Sequence, residues 1–281
     1  MMTDPPNNTP SESATLTSAP PVLKTRWDIV ALAIIAGVVC AVQVGKVPPA
    51  LPVLRAELGI GFITAGWVAS LVNICGGVLG VASGLIIDRV GPRRVTVISL
   101  LIMAGGGAIG AEANSALMLL ASRFLEGLGL VGAVVAAPAI IQIACQPADR
   151  SLALGLWGTY LPAGMAIALL AAPRLMEEFG WRGFWWGNVA LVIGFAGLAA
   201  VGLAPRYWSA PPTLVVVARP RILKILSRSG PWLFSVCFAT YALMFYAVAV
   251  WLPSYLIEAK SWTLAEAAMG GAAVVIANIA G

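Results

Sequence analysis

Histidine is absent from this 281-residue chain, and charged residues make up only 10% of it. Histidine is the commonest metal ligand and the commonest general base at neutral pH, so most metal centres and enzyme mechanisms lack their usual residue here. A soluble domain carries about 25% charged residues. Because 60% of this chain is apolar, a single soluble core cannot hold its side chains. The composition excludes a water-soluble globule and indicates an integral membrane protein without enzymatic activity.

Cysteine is also scarce. The four cysteines, Cys40, Cys75, Cys145 and Cys237, lie in or beside apolar runs and lack the spacing of metal ligands. We expect them to be small buried thiols. The sequence therefore predicts neither a metal site nor another cofactor.

Long apolar stretches dominate the rest of the chain. They run at about 27–49, 62–87, 95–113, 117–143, 152–173, 184–204, 232–254 and 264–281, and a helix needs roughly 20 such residues to cross a bilayer. They are continuously apolar, unlike the alternating strands of an outer-membrane barrel. The predicted fold class is an all-α polytopic membrane protein with seven spans and an eighth that stops inside an apolar run.

The polar segments divide the chain into four regions. Residues 1–26 are rich in Pro, Ser, Thr and Asn and are expected to be a disordered cytoplasmic tail. Residues 27–204 form a predicted six-helix transmembrane bundle. Residues 205–231 are basic, contain five prolines and are expected to be a cytoplasmic linker. Residues 232–281 supply the first one to two helices of an incomplete second bundle.

The basic residues predict the orientation. With the tail in the cytoplasm, eleven lie on the inner side and four on the outer side; the outer four are Arg55, Arg174, Arg182 and Lys260. The positive-inside rule then predicts a multi-pass protein of the plasma (inner) membrane with a cytoplasmic N-terminus. The net charge of +5 follows from this topology, so no nucleic-acid partner is expected and the lipid bilayer is the surrounding partner.

One loop carries charges in unfavourable places. Residues 84–94 read Gly-Leu-Ile-Ile-Asp-Arg-Val-Gly-Pro-Arg-Arg between the second and third spans. Asp88 ends one helix and Arg93 and Arg94 begin the next, so both oppose the helix dipoles. The positive-inside rule explains the arginines but not the acid. We therefore expect a dedicated partner for Asp88; the alternative is a charged turn that only sets topology.

This loop resembles the signature of the major facilitator superfamily, Gly-x-x-x-Asp-Arg-x-Gly-x-Arg-Arg, and stands in the family's place. Further similarity lies in Arg123-x-x-x-Gly127-x-Gly129, in Pro147-x-Asp149-Arg150 and in Gly180-Trp181-Arg182. The resemblance implies a six-helix N-terminal bundle followed by an incomplete second bundle. It also implies a secondary active transporter that moves a small solute by alternating access.

The resemblance further implies which residues control the conformation: Gly84, Asp88, Arg89, Gly91, Arg93, Arg94, Asp149 and Arg150. Asp88 would contact a helix of the opposite half, with Arg89, Arg93 and Asp149 as its charge network. Pro92 stands where many members have a basic residue, so any relay would run through Arg93 or Arg94.

Three ionisable residues at membrane depth are candidates for substrate binding, because such groups usually face a cavity or a partner. Lys46, Arg123 and Glu126 can share one level near the outer ends of the first and fourth spans. Arg123 and Glu126 are three residues apart and can pair, which leaves Lys46 partly uncompensated. The hypothesis is a weakly positive outer cavity for a small organic anion. The alternative is that Lys46 reaches the interface and Arg123 only ties helices together.

Other polar residues at depth extend the candidate site: Gln43, Asn73, Tyr160 and Tyr241. Each of them alone fits a hydrogen bond between helices better than a contact with a ligand. Glu126 is the only acid well inside a bundle helix, so it is the expected carrier if transport is coupled to protons.

Two further hypotheses concern the whole protein. Alternating access needs two bundles, so we expect this chain to be part of a longer transporter and to transport nothing alone. The competing interpretation is a seven-helix receptor or sensor, which predicts a signalling domain or a stop after residue 281. A membrane-embedded enzyme would need a cluster of catalytic groups, and the sequence offers none.

Overall fold

The computed structural model describes residues 24–204 and 227–280, and within those ranges the chain consists of helices and turns without a strand. The helices are α1 Trp27–Gly45, α2 Val47–Leu58, α3 Phe62–Val90, α4 Pro92–Ala111, α5 Ala116–Ala144, α6 Arg150–Gly158, α7 Tyr160–Gly202, α8 Ser229–Lys260 and α9 Leu264–Ala280. This confirms the predicted all-α polytopic fold. Most of the predicted tail, residues 1–23, and of the predicted linker, residues 205–226, lies outside the described residues.

Six helical stretches in the described ranges are long and apolar enough to cross a membrane, and Leu264–Ile279 is a shorter apolar helix. The stretch Arg150–Gly202 has 53 residues, about 80 Å at 1.5 Å per residue. A hydrocarbon core is about 30 Å thick. This stretch can therefore cross twice, as the two predicted spans at 152–173 and 184–204 require.

The first span is divided at Lys46 and is longer than predicted. α1 ends at Gly45, Lys46 forms the joint, and α2 continues to Leu58, beyond the predicted end at residue 49. Pro48 and Pro49 follow the joint in the first turn of α2, where a helix does not need their missing N–H groups. The prolines therefore interrupt the backbone hydrogen bonds of the span without ending it.

Helix α5 lies between α3 and α4, and glycines allow the close approach. A Cβ atom on Gly127 would lie 2.8 Å from Sγ of Cys75 on α3, and one on Gly129 would lie 2.7 Å from Cβ of Met103 on α4. Small residues permit such backbone contact between membrane helices. Cys40, Cys75 and Cys145 are buried, but Cys237 on α8 is exposed, so the prediction of four buried thiols is wrong for Cys237.

We refer to α1–α7 as the N-terminal bundle, to α8 and α9 as the C-terminal pair, and to the two ends of the molecule as the Asp88 end and the Glu57 end. α8 runs from the Asp88 end to the Glu57 end, where Glu258 meets Arg55 of α2. α9 packs against α7 and α8. The C-terminal pair therefore continues beside the N-terminal bundle as the start of a second bundle.

Gly180 breaks the 53-residue stretch near the Glu57 end. Its φ is +67° and its ψ is 177°, a backbone region that is essentially restricted to glycine. The break allows the chain to leave one span and enter the next without a long loop. It also places Trp181 and Arg182 beside Glu57: Trp181 Nε1 donates to Oε2 of Glu57 at 2.6 Å, and Arg182 pairs with the other oxygen.

We predict that Gly180→Ala lowers the stability of the folded chain by about 1–3 kcal/mol, because alanine is strained at this φ and ψ. No heavy atom lies within 4 Å of the new Cβ, so the loss would come from the backbone alone. Thermal unfolding of the purified chain in detergent measures it.

The matched control is Gly187→Ala, seven residues later in α7, where the new Cβ also meets no heavy atom within 4 Å and φ is not positive. We expect no loss there, since alanine is a better helix former than glycine. Equal effects of the two substitutions would contradict the prediction.

Candidate functional site

A buried carboxylate shared by two cations forms the centre of the candidate site. Nζ of Lys46, at the joint between α1 and α2, lies 2.5 Å from Oε1 of Glu126 on α5. Arg123, one turn before Glu126, pairs with Oε2 through its NH1 atom. Each oxygen of Glu126 therefore binds a different cation. We call Lys46, Arg123 and Glu126 the buried triad.

Polar groups from three other helices hold the triad residues of α5 and the joint in place. Lys46 also donates to Oε1 of Gln43 at 3.0 Å, and Gln43 Nε2 donates to Oδ1 of Asn188 at 3.3 Å. Arg123 donates to the backbone carbonyls of Val68 on α3 and Gln43 on α1, both at 3.1 Å. α1, α3, α5 and α7 are thus joined at this level. The polar groups satisfy part of the hydrogen-bonding capacity that burial takes away from water.

The triad is sealed from solvent: the side chains of Lys46, Arg123 and Glu126 are all 0% exposed. α4 closes one side with glycines, because a Cβ atom on Gly107 would lie 3.3 Å from Oε1 of Glu126. Trp185 of α7 lies under Lys46, with Nζ 4.6 Å from the ring centroid. The main chain and an aromatic ring therefore pack directly against the charged groups.

The geometry corrects the predicted charge arrangement. Glu126 pairs with both Lys46 and Arg123. Lys46 therefore has a counter-ion, and it does not line an open cavity. The alternative that Lys46 reaches the interface is also wrong, since it is buried. Arg123 does tie helices together. The triad still carries two cations for one anion, and NH2 of Arg123 and Nε1 of Trp185 are buried without a hydrogen-bond partner.

The other predicted binding residues lie outside this hydrogen-bonded cluster. Asn73 is half-buried on α3. The ring of Tyr160 stacks on Trp157, with centroids 4.3 Å apart. Nδ2 of Asn278 on α9 donates to the hydroxyl of Tyr241 on α8 at 2.6 Å. The structure thus brings Gln43, Lys46, Arg123 and Glu126 together, but does not bring Asn73, Tyr160 and Tyr241 to them.

Sequence reasoning missed Asn188 and Trp185. Asn188 is buried, and its Nδ2 donates to the carbonyl of Phe184 at 2.8 Å, which aims its carbonyl oxygen at Gln43. The available signal was a lone amide inside the apolar run 184–204. No comparable signal marks Trp185, because tryptophan is common near the ends of membrane helices.

The loop between α3 and α4 does not form the predicted charge network. Asp88, Arg89 and Arg94 are exposed, and the ion pairs found in residues 24–204 and 227–280 do not include them. Arg93 instead donates to the backbone carbonyl of Ala200 at the end of α7, at 3.0 Å. Gly84 is open to a further helix, since a Cβ there meets no heavy atom within 4 Å. Gly91 has φ +90° and makes the turn.

Asp149 has a different partner from the predicted one. Its carboxylate accepts a hydrogen bond from the hydroxyl of Thr25, which in turn accepts from the backbone N–H of Gln146 at 3.0 Å. Arg150 is exposed. The hydrogen bond from Thr25 to Asp149 therefore holds the segment that immediately precedes α1. The expected link from Asp149 to Asp88 is wrong, because the nearer hydroxyl occupies the carboxylate.

Comparisons with known proteins agree with this fold. A family model described as Major Facilitator Superfamily matches residues 32–281. A probable sulfoacetate transporter of Cupriavidus necator is 23% identical over 278 residues, covering 92% of this chain and 64% of that protein. A cyanate transport protein of Escherichia coli is 28% identical over 218 residues, covering 76% of this chain and 54% of that protein.

A solved structure shares the architecture. The crystal structure of a bacterial homolog of the human lysosomal transporter Spinster, in an inward-facing and unoccupied conformation, superposes with a TM-score of 0.73 at 16% identity. The match covers 88% of this chain and 59% of that one. The chain therefore spans about three-fifths of the length of such relatives.

These findings confirm the resemblance carried by residues 84–94 and the expectation that the protein is not an enzyme, because the family consists of transporters. The family model covers most of the chain, and the helices of the N-terminal bundle with the start of a second bundle follow the same architecture. The chain belongs to the Major Facilitator Superfamily.

Proposed function

We propose that this protein is part of a secondary active transporter that moves a small organic anion together with a proton by alternating access. The observation that carries the proposal is the bridging carboxylate of Glu126, which holds Lys46 at 2.5 Å and Arg123 on its other oxygen in a site without solvent exposure.

The coupling follows from charge balance. With Glu126 ionised, the buried triad has a net charge of +1. Protonation of Glu126 removes the only anion and leaves two buried cations without a counter-ion, which is unfavourable in a low-dielectric site. An organic anion that reaches Lys46 or Arg123 supplies the negative charge that protonation of Glu126 removes. Proton binding and anion binding therefore favour each other, as symport requires.

Two of the relatives agree with an anionic substrate. Sulfoacetate and cyanate, named for two of them, are small anions. A carboxylate suits Arg123 because a guanidinium can donate two parallel hydrogen bonds to its oxygens, and its NH2 atom has no partner when the site is sealed. Family membership gives no support to the seven-helix receptor.

The wider arrangement belongs to the same proposal. The Asp88 end faces the cytoplasm of the plasma (inner) membrane, because most basic residues lie on that side. Residues 27–204 and 232–281 act as parts of two bundles joined by the linker at 205–231, and the tail precedes them. The loop with Gly84, Asp88, Arg89, Gly91, Arg93 and Arg94 meets the second bundle. Asp149 and Arg150 hold the neighbouring turn. Tyr160, Tyr241 and Asn73 contact the substrate on its way to the triad.

We predict that anion binding takes up a proton through Glu126. Isothermal titration of the purified chain with sulfoacetate, in two buffers of different ionisation enthalpy, should give about one proton taken up per anion bound. Glu126→Gln should bind without proton uptake, because glutamine cannot be protonated in this range.

Glu177→Gln is the matched control, since Glu177 is an exposed acid of α7 away from the triad; its proton uptake should equal that of the unmodified chain. Proton uptake that persists in Glu126→Gln would reject Glu126 as the carrier.

We also predict that Lys46→Ala weakens sulfoacetate binding about tenfold or more, the size expected from loss of a charge-assisted hydrogen bond. Lys24→Ala removes an exposed cation at the Asp88 end and should leave affinity unchanged. Binding of a neutral or cationic solute that is insensitive to Lys46→Ala contradicts the assignment of an organic anion.

The free energy of unfolding should respond unequally to the replacement of Glu126 and of Lys46. Glu126→Gln leaves two buried cations unpaired and should destabilise the chain by about 3–5 kcal/mol. Lys46→Met keeps an ion pair between Arg123 and Glu126 and lowers the buried net charge to zero, so its loss should be much smaller. Denaturant unfolding monitored by tryptophan fluorescence measures both, and equal losses would count against a shared carboxylate.

A further inference from the structure

Trp185 is the largest side chain that is completely buried in the described ranges, and one of its atoms is unsatisfied. The indole Nε1 atom lies in the interior without a hydrogen-bond partner. A buried tryptophan N–H usually finds an acceptor, because a donor removed from water without one keeps its desolvation cost. Packing alone does not explain this residue, since a phenylalanine ring fills such a space without burying a donor.

The neighbouring tryptophans of α7 show the usual arrangement. Nε1 of Trp181 donates to Glu57 at 2.6 Å, and Nε1 of Trp186 donates to Glu112 at 3.0 Å. Trp181 is 3% exposed and Trp185 is 0% exposed, so these two residues differ in the partner of the N–H and hardly in burial. Among the three, the unpaired donor is particular to position 185.

The unpaired donor belongs to a side chain that contacts the buried triad. Nζ of Lys46 lies 4.6 Å from the centroid of the Trp185 ring. A Cβ atom on Gly110 of α4 would lie 2.8 Å from Nε1 of Trp185 and 2.7 Å from Oγ of Ser122 on α5, the residue before Arg123. The indole therefore meets Lys46 with its ring and brings its N–H to the seam between α4 and α5.

A second unpaired donor belongs to the triad itself. NH2 of Arg123 is buried without a partner, although the Nε and NH1 atoms of the same guanidinium donate to carbonyls and to Glu126. Both oxygens of Glu126 already bind cations, so the triad offers no further anion to these donors. The oxygens of a bound carboxylate or sulfonate would supply the missing acceptors.

We propose that Trp185 is part of the anion site: its Nε1–H donates a hydrogen bond to an oxygen of the bound anion, while its ring supports Lys46. The N–H is unpaired while the site is sealed and gains its acceptor when the anion binds. Its desolvation is complete before the anion arrives, so the new hydrogen bond adds to affinity without that cost. This inference rests on the proposed function, which brings an anion to Lys46 or Arg123.

Trp185→Phe tests the donor, because it keeps an aromatic ring near Lys46 and removes the N–H. Isothermal titration of the purified chain with sulfoacetate should show a loss of affinity of about tenfold or more, the effect of one hydrogen bond to a charged acceptor. Trp181→Phe is the matched control. It removes the same atoms four residues earlier in α7, from an N–H that already has a partner, and should leave the affinity unchanged.

Replacement by benzothienylalanine separates the donor from packing. This amino acid has the shape of tryptophan with a sulfur in place of the indole N–H, so it leaves no cavity and serves if Trp185→Phe does not fold. At position 185 it should weaken sulfoacetate binding without lowering the midpoint of thermal unfolding of the free chain, because the donor it removes has no partner there. At position 181 it should lower that midpoint, because it breaks the bond to Glu57.

Indole NMR observes the hydrogen bond directly. In a chain that carries isotope-labelled tryptophan, the N–H signal that disappears on either replacement at position 185 belongs to Trp185. Sulfoacetate should move this proton signal downfield, as expected when the N–H gains a charged acceptor. The signal of Trp186, which is bonded to Glu112, should stay in place.

Two results would overturn the role of Trp185: sulfoacetate affinity that is unchanged in the folded variants at position 185, or an indole signal that sulfoacetate does not move. The proposed function would survive either of them, because Lys46→Ala and Glu126→Gln are its own tests. Failure of the unmodified chain to bind sulfoacetate would reject the proposed anion and the role of Trp185 together.

Discussion

The fold depends on one carboxylate that pairs with two cations away from water. Glu126 holds Lys46 and Arg123 on separate oxygens, and Arg123 reaches the backbone of α1 and α3. The joint between α1 and α2, the backbone of α4 and the ring of Trp185 surround this arrangement. Hydrogen bonds or close packing against the triad hold each helix at this level. The candidate site is therefore also part of the packed core.

The weaker contacts lie at the two ends. At the Glu57 end, Glu57 joins α2 to Trp181 and Arg182 beside the break at Gly180. At the Asp88 end, Arg93 caps the carbonyl of Ala200 and Thr25 binds Asp149. These contacts fix the helices of the N-terminal bundle to one another. Such a bundle can move as one body, which is the unit of motion in alternating access.

The sequence was sufficient for the spans, the family and the level of the charged residues. Helix rise gives the depth of Lys46, Arg123 and Glu126 in the membrane, and depth alone predicted that they can meet. Rotation about the helix axis is set by packing, so the sequence could not predict that one carboxylate binds both cations. The partners of Arg93 and Asp149 were missed because a backbone carbonyl and a neighbouring hydroxyl leave no charge pattern. Asn188 was missed because a single amide in an apolar run has many possible partners.

Gly107 lets the backbone of α4 pack directly against the carboxylate of Glu126. A Cβ atom on Gly107 would lie only 3.3 Å from Oε1 of Glu126, and the Glu126 side chain is 0% exposed, so the backbone of α4 helps to keep water away from the carboxylate. A membrane protein that kept a titratable group in continuous contact with both aqueous sides would leak protons down their gradient. In the proposed transporter, the tight seam between α4 and α5 would act as electrical insulation around Glu126.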